Sequence, residues 1–181
     1  PYSLNPVMPH SPEIDEIHPN GLVPGFRHGD IKLFESKAIA TYVDRTFDGP
    51  SLFPDDVTLT IELEKWVSYC NTVVDRCILR EFVVPTLFAD KETGPDMEMI
   101  NAALIKIEAC CKVLDEAVSQ TGHLVGDKFT YADCNLVPML AALQILPQGQ
   151  EILGKFPKLK AYFEKHASRD SFKATEPQPP E

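Results

Sequence analysis

Glu35 and Ser36 stand side by side where a short run, Ile31–Phe34, gives way to a helical period of Ile39, Ala40, Val43 and Phe47. Ser36 is a competent helix opener, and the first N–H groups of a helix have no partner within it. Such an end attracts anions. A carboxylate beside it attracts an ammonium, so the pair offers a clasp for both charges of an α-amino acid. Upstream, Val23-Pro24 lies between Gly21 and Gly25. An X-Pro bond reaches the cis form at a cost of about 0.5–1 kcal/mol, and a cis bond here would turn a backbone edge outward alongside the clasp. The competing reading is an ordinary strand-turn-helix whose Glu35 faces solvent.

The elements that must position these groups are short. His28-Gly29-Asp30 carries residues that tolerate a tight hairpin turn, between runs at Val23–Phe26 and Ile31–Phe34. Before the hairpin, Pro1–Val7 reads as an extended run and Met8–His18 as a loop with at most one helical turn.

Val23-Pro24 followed by Leu33-Phe34-Glu35-Ser36-Lys37-Ala38-Ile39 resembles the VP…L-x-E-S-x-A-I signature of the cytosolic glutathione transferases. The resemblance implies a thioredoxin-like α/β amino-terminal domain, incomplete in this sequence, followed by an all-α helical domain, with activity between them. It implies that Glu35-Ser36 hold the γ-glutamyl end of glutathione and that Val23, before cis Pro24, pairs with the cysteinyl backbone. His10-Ser11-Pro12-Glu13 and His18-Pro19-Asn20-Gly21 are similar to the approach to this turn in the phi class and its bacterial relatives. That likeness implies a contact from His10 to the glycine carboxylate; the alternative is a solvated loop histidine. Leu22 stands where Lys or Gln is often found, so one contact to the tripeptide is expected to be missing.

In the family, a Ser, Tyr or Cys after the first strand activates the thiol. This sequence matches the family from the second strand, at Tyr2–Pro6, so the catalytic residue is expected upstream of Pro1. The implied function is conjugation of reduced glutathione, as co-substrate, to a hydrophobic electrophile: a detoxifying transfer carried out by a homodimer. The alternative is a non-catalytic binding or regulatory protein of the same fold.

Composition limits the partners. The 181 residues are 44% apolar and 24% charged, with net charge −10 and pI near 4.9. That balance argues against nucleic acid and anionic membrane surfaces. No apolar run approaches the roughly 20 residues of a membrane helix and no signal-peptide pattern opens the chain, so a cytoplasmic protein is expected. Five cysteines without C-x-x-C or zinc-type spacing read as buried reduced thiols, none a strong nucleophile. Cys70 or Cys77 could line a cleft if the first long helix faces one.

Residues 1–49 form the partial glutathione-binding domain, and the Pro-, Gly- and Asp-rich stretch 50–57 is the linker. Residues 58–175 form the helical domain and 176–181 have the composition of a disordered tail. The first long helix is expected from about Leu59 toward Phe88, with Leu63, Trp66, Val67, Cys70, Val73, Val74, Cys77 and Ile78 on its apolar stripe and Pro85 kinking or ending it. By the resemblance it lines the electrophile pocket, with Trp66, Tyr69, Val73 and Arg76 as wall candidates. A second helix spans Asp96 to about Gln120, with a stripe of Ile100, Ala103, Leu104, Ile107, Cys110, Cys111 and Leu114.

Gly126-Asp127-Lys128-Phe129-Thr130-Tyr131-Ala132-Asp133 then predicts a capping box, Thr130 with Asp133, before an apolar helix Cys134–Leu146 buried on all sides. It is similar to the G-x-x-[ST]-x-A-D box of the same family, a structural element. Gly149–Ala167 reads as one last amphipathic segment.

Overall fold

The computed structural model describes residues 9–175; the expected strand at Tyr2–Pro6 and the tail at 176–181 lie outside the described residues. The chain divides into two compact units, Pro1–Phe53 and Pro54–Glu181.

In the first unit, α1 (Pro12–Asp15) is a single turn whose N-cap Ser11 accepts from the Ile14 N–H. An antiparallel hairpin follows, β1 (Gly25–His28) and β2 (Ile31–Phe34), in the register Gly25 with Phe34 through His28 with Ile31. β1 starts two residues later than the sequence suggested, because Pro24 has no N–H to give to a ladder. The turn is Gly29-Asp30, where Gly29 at φ 59° supplies the left-handed conformation that a two-residue hairpin requires. Helix α2 (Ser36–Thr46) begins at Ser36, as its period predicted.

The second unit is helical. A near-continuous helical rod begins with α3 (Val57–Tyr69), passes through π-helical stretches Cys70–Val74 and Arg76–Val83, and closes with α4 (Val84–Leu87). Its middle is wider than the α-helix expected: the Asp75 N–H reaches back to the Cys70 carbonyl and the Val84 N–H to the Leu79 carbonyl, five residues each. Pro85 does not break the rod, since it falls in the opening turn of α4, where a missing N–H disturbs least. Leu63, Val67, Cys70, Val74, Cys77 and Ile78 are buried as expected, but Val73 is exposed and Trp66 half-buried. Cys70 and Cys77 are core side chains.

Helix α5 (Met97–Ala117), capped by Asp96, packs chiefly against the Arg76–Val83 stretch and buries Ile100, Ala103, Ile107, Cys110, Cys111 and Leu114. At the centre lies α6 (Tyr131–Leu143), packed on α3, both π-helical stretches and α8 (Pro157–Ala167). It stops three residues short of Leu146, and it is not buried on every side, since Pro138 is exposed. The face that lacks an N–H is the one left to water. The last segment is two helices, α7 (Pro147–Gly154) and α8, because Phe156-Pro157 restarts the chain; α9 (Asp170–Ala174) follows.

The predicted cap is present and does more than cap. Asp133, with no exposed surface, takes the Thr130 N–H at 2.8 Å and the Thr130 hydroxyl at 3.2 Å on one oxygen. Its other oxygen takes the Leu124 N–H at 3.0 Å and the Tyr162 hydroxyl at 2.8 Å. Burial and the adjacent carboxylate push the Tyr162 hydroxyl up, keeping it the donor. Removing one partner from a buried hydrogen bond costs about 1–3 kcal/mol per orphaned group. In urea unfolding, Asp133→Ala is expected to lose at least ~3 kcal/mol, Thr130→Ala about 0.5–2 kcal/mol and Tyr162→Phe about 1 kcal/mol. Equal midpoints for Asp133→Ala and Thr130→Ala would show that the carboxylate serves the cap alone.

Candidate glutathione-binding site

The hairpin register assembles the site. The ladder ends at Gly25 with Phe34, so the next residues on its two arms are Val23-Pro24 and Glu35-Ser36, delivered to the same end. The Val23-Pro24 bond is cis. The arm that leads to it is held by backbone contacts: the His10 N–H donates to the Gly21 carbonyl at 2.7 Å and the Gly21 N–H to the His18 carbonyl at 2.9 Å. Gly21, at φ 61°, has no room for a side chain, since a Cβ there would lie 2.2 Å from His10 Nδ1. Arg27 and Lys32 both pair with Glu16, tying the loop after α1 to the hairpin. Arg27 first and Lys32 second hold the Glu16 carboxyl below its usual range.

Glu35 and Ser36 are exposed, and Glu35 makes no side-chain cap hydrogen bond to α2. Glu35 sits at φ 69°, ψ 117°, a conformation that non-glycine residues rarely adopt and that costs of order 1–3 kcal/mol. Strain of this kind gathers at ligand-binding positions. Here it coincides with a carboxylate set beside the open N-terminal turn of an 11-residue helix. His10 is also exposed, and its Nδ1 lies 3.8 Å from Asp15 Oδ1. The chemistry on offer is that of a zwitterion clasp: an anion acceptor for an ammonium, helix N–H groups for a carboxylate, and a backbone edge beside a cis proline for an extended peptide.

Comparison with known proteins gives the family. Residues 1–45 match the glutathione S-transferase N-terminal domain and residues 77–170 its C-terminal domain. The chain belongs to the glutathione S-transferase family. It is 26% identical over 166 residues to glutathione S-transferase 1 of Triticum aestivum, covering 84% of this chain and 70% of that protein. To glutathione S-transferase 3 of Zea mays it is 25% identical over 181 residues, covering 97% and 79%. Its fold is also that of the theta class transferase of Xanthomonas axonopodis pv. citri, solved with glutathione bound: TM-score 0.80, 22% identity, 94% of this chain and 79% of that one. The fold is the glutathione transferase fold, its amino-terminal part reduced among the described residues to a two-stranded sheet with α1 and α2.

The remaining candidates of this family member lie on the helical rod. Trp66 and Tyr69 meet edge to face, ring centres 5.9 Å apart, with the Lys65 ammonium 5.0 Å from the Trp66 ring. Val73 is exposed, and Arg76 is engaged with Glu81, which also binds Lys106. Glu81 thus neutralises the one cation among the four candidates. The sequence reading did not identify the contact between the Cys77 and Cys110 sulfurs, 3.7 Å apart across two helices, which no local pattern signals.

One group has metal-ligand chemistry: His123, Asp133 and His166, with ligand atoms within 4.8 Å of one another. The fit is poor. Asp133 already serves four donors, His166 Nε2 meets the Gly122 carbonyl at 3.0 Å, and the Lys165 ammonium lies 3.4 Å from His123 Nε2. With Nε2 facing an ammonium, the proton of His123 belongs on Nδ1, which is buried without a hydrogen-bond partner 4.0 Å from Asp133. The cluster is a structural one. No helix among the described residues is long and apolar enough to cross a membrane.

Burial lowers the pKa of both His123 and His166, with Lys165 opposing protonation of His123 as well. Their unfolded value is near 6.5. A depressed folded value means the neutral imidazoles' contribution is fully present above pH ~6.5 and is lost as pH falls toward the folded values. Stability from urea unfolding should fall on acidification through that window, and His166→Gln should flatten the slope by up to ~1.4 kcal/mol per pH unit. Parallel slopes for parent and variant would mean that His166 takes up its proton alike in the folded and unfolded states.

Proposed function

We propose that the chain binds reduced glutathione through Glu35, Ser36, Val23, Pro24 and His10, and serves conjugation of its thiol to a small hydrophobic electrophile. The observation that carries this reading is the pairing of a strained, exposed Glu35 with an open helix start at the same hairpin end as a cis Val23-Pro24. Glu35 meets the α-ammonium of the γ-glutamyl group. The Ser36 hydroxyl and the first N–H groups of α2 meet its α-carboxylate, the Val23 backbone pairs with the cysteinyl residue, and His10 faces the glycine carboxylate. Binding in this way fixes the thiol relative to the protein. A thiol of pKa about 8.5 becomes a nucleophile once its thiolate is stabilised. Trp66, Tyr69, Val73 and Arg76 form the wall that receives the electrophile, and the protein works as a cytoplasmic homodimer.

Charge-assisted hydrogen bonds contribute about 1.5–3 kcal/mol each. Titration calorimetry with glutathione should therefore show Glu35→Ala weakening binding by roughly one to two powers of ten, and Ser36→Ala weakening it less. Unchanged affinity in both variants, with folding intact by circular dichroism, would remove the clasp from this role. Light scattering at micromolar concentration should return twice the chain mass; a monomer would sink the dimer.

A further inference from the structure

We propose that Cys77 and Cys110 form a modification site: a dithiol that closes to a reversible disulfide when the protein meets hydrogen peroxide. Their sulfur atoms lie 3.7 Å apart, the one sulfur–sulfur contact among the described cysteines. Cys77 stands in the Arg76–Val83 stretch and Cys110 in α5, two elements packed against each other. A disulfide needs its sulfurs about 2.0 Å apart, so closure requires approach along a line on which the atoms already touch. Both residues are almost wholly buried, at 2% and 5% exposure, which shields them from bulky oxidants and calls for one as small as peroxide.

The surroundings select which sulfur reacts first. The two sulfurs lie within hydrogen-bond distance, either able to donate, and the nearby Cys77 thiol first and the Tyr69 hydroxyl after it draw the ionisation of Cys110 below the ordinary thiol range against its burial. Burial does the reverse elsewhere, pushing Cys70 and Cys111 up to about 12 and Cys134 up to about 11. The groups that favour a Cys110 thiolate, Cys77 and Tyr69, stand 33 and 41 positions away in sequence, beyond any local pattern. The Cys110 thiolate attacks one peroxide oxygen, the O–O bond breaks, and the departing hydroxide takes a proton to leave as water. Cys110 is then a sulfenic acid. The Cys77 sulfur attacks the Cys110 sulfur, the S–O bond breaks, and hydroxide leaves with the Cys77 proton as a second water. Two thiols and one peroxide give one disulfide and two waters.

The test uses the full folded chain, reduced and freed of reductant, then treated with hydrogen peroxide and counted for thiols in guanidinium. The five thiols should fall to three and return to five with dithiothreitol, and peptide mass spectrometry should find Cys77 joined to Cys110. Cys134→Ser should still lose two thiols. Cys77→Ser should form no disulfide and should instead carry stable oxidation on Cys110. A full count of thiols after native treatment, a loss that dithiothreitol does not reverse, or a cross-link joining any other pair overturns the proposal. The parent's own map decides the matter even if Cys77→Ser fails to fold.

Discussion

The helical unit depends on one buried carboxylate. Asp133 lies at the start of the most enclosed helix, α6, where free N–H groups would otherwise face the apolar core. An unpaired polar group in such a place is costly, so Asp133 is tolerable only because its two oxygens gather four donors. Those donors come from its own cap, from Leu124 in the preceding loop, and from Tyr162 on α8. One side chain therefore fixes the start of α6, the course of the loop before it, and the position of α8. The ring of Tyr162 in turn packs on His166, centres 4.6 Å apart, and His166 anchors Gly122, so the network closes on the loop where it began.

The rod from Val57 to Leu87 carries a second constraint. Its π-helical middle buries Cys70, Val74, Cys77, Ile78, Phe82 and Val83 against α5 and α6. Along this rod Leu63, Val67, Cys70, Val74, Cys77 and Ile78 keep one face inward, and Cys77 there meets Cys110 of α5. π-helical turns are rare and concentrate at functional sites. Here the second of them carries both Arg76 and Cys77.

In the amino-terminal unit the governing fact is register. Four pairs of residues decide that Val23-Pro24 and Glu35-Ser36 leave the hairpin at one end, and a slip of one position would send those side chains to the opposite face. Packing does little to hold this unit by itself: Leu22, Val23, Ile31, Phe34, Val43 and Phe47 are all exposed to a third or more. Its order comes from the short turn at Gly29, the Glu16 pairings with Arg27 and Lys32, and the His10–Gly21 backbone bond.

Local chemistry was legible in the sequence. The cis-capable Val23-Pro24, the Gly29 turn, the Ser36 helix start and the Thr130/Asp133 box are each decided within a few residues by fixed φ, missing donors or capping oxygens, and each was read at its place. The boundaries were missed where a proline acts on its neighbours, as at β1 and at the break between α7 and α8. Tertiary packing alone decided the rest. The π winding, the exposure of Val73 and Pro138, the Tyr162 and Leu124 bonds to Asp133, and the Cys77–Cys110 contact depend on how the helices pack. No period or spacing encodes them, because each exists only once two helices have chosen which faces to bury together.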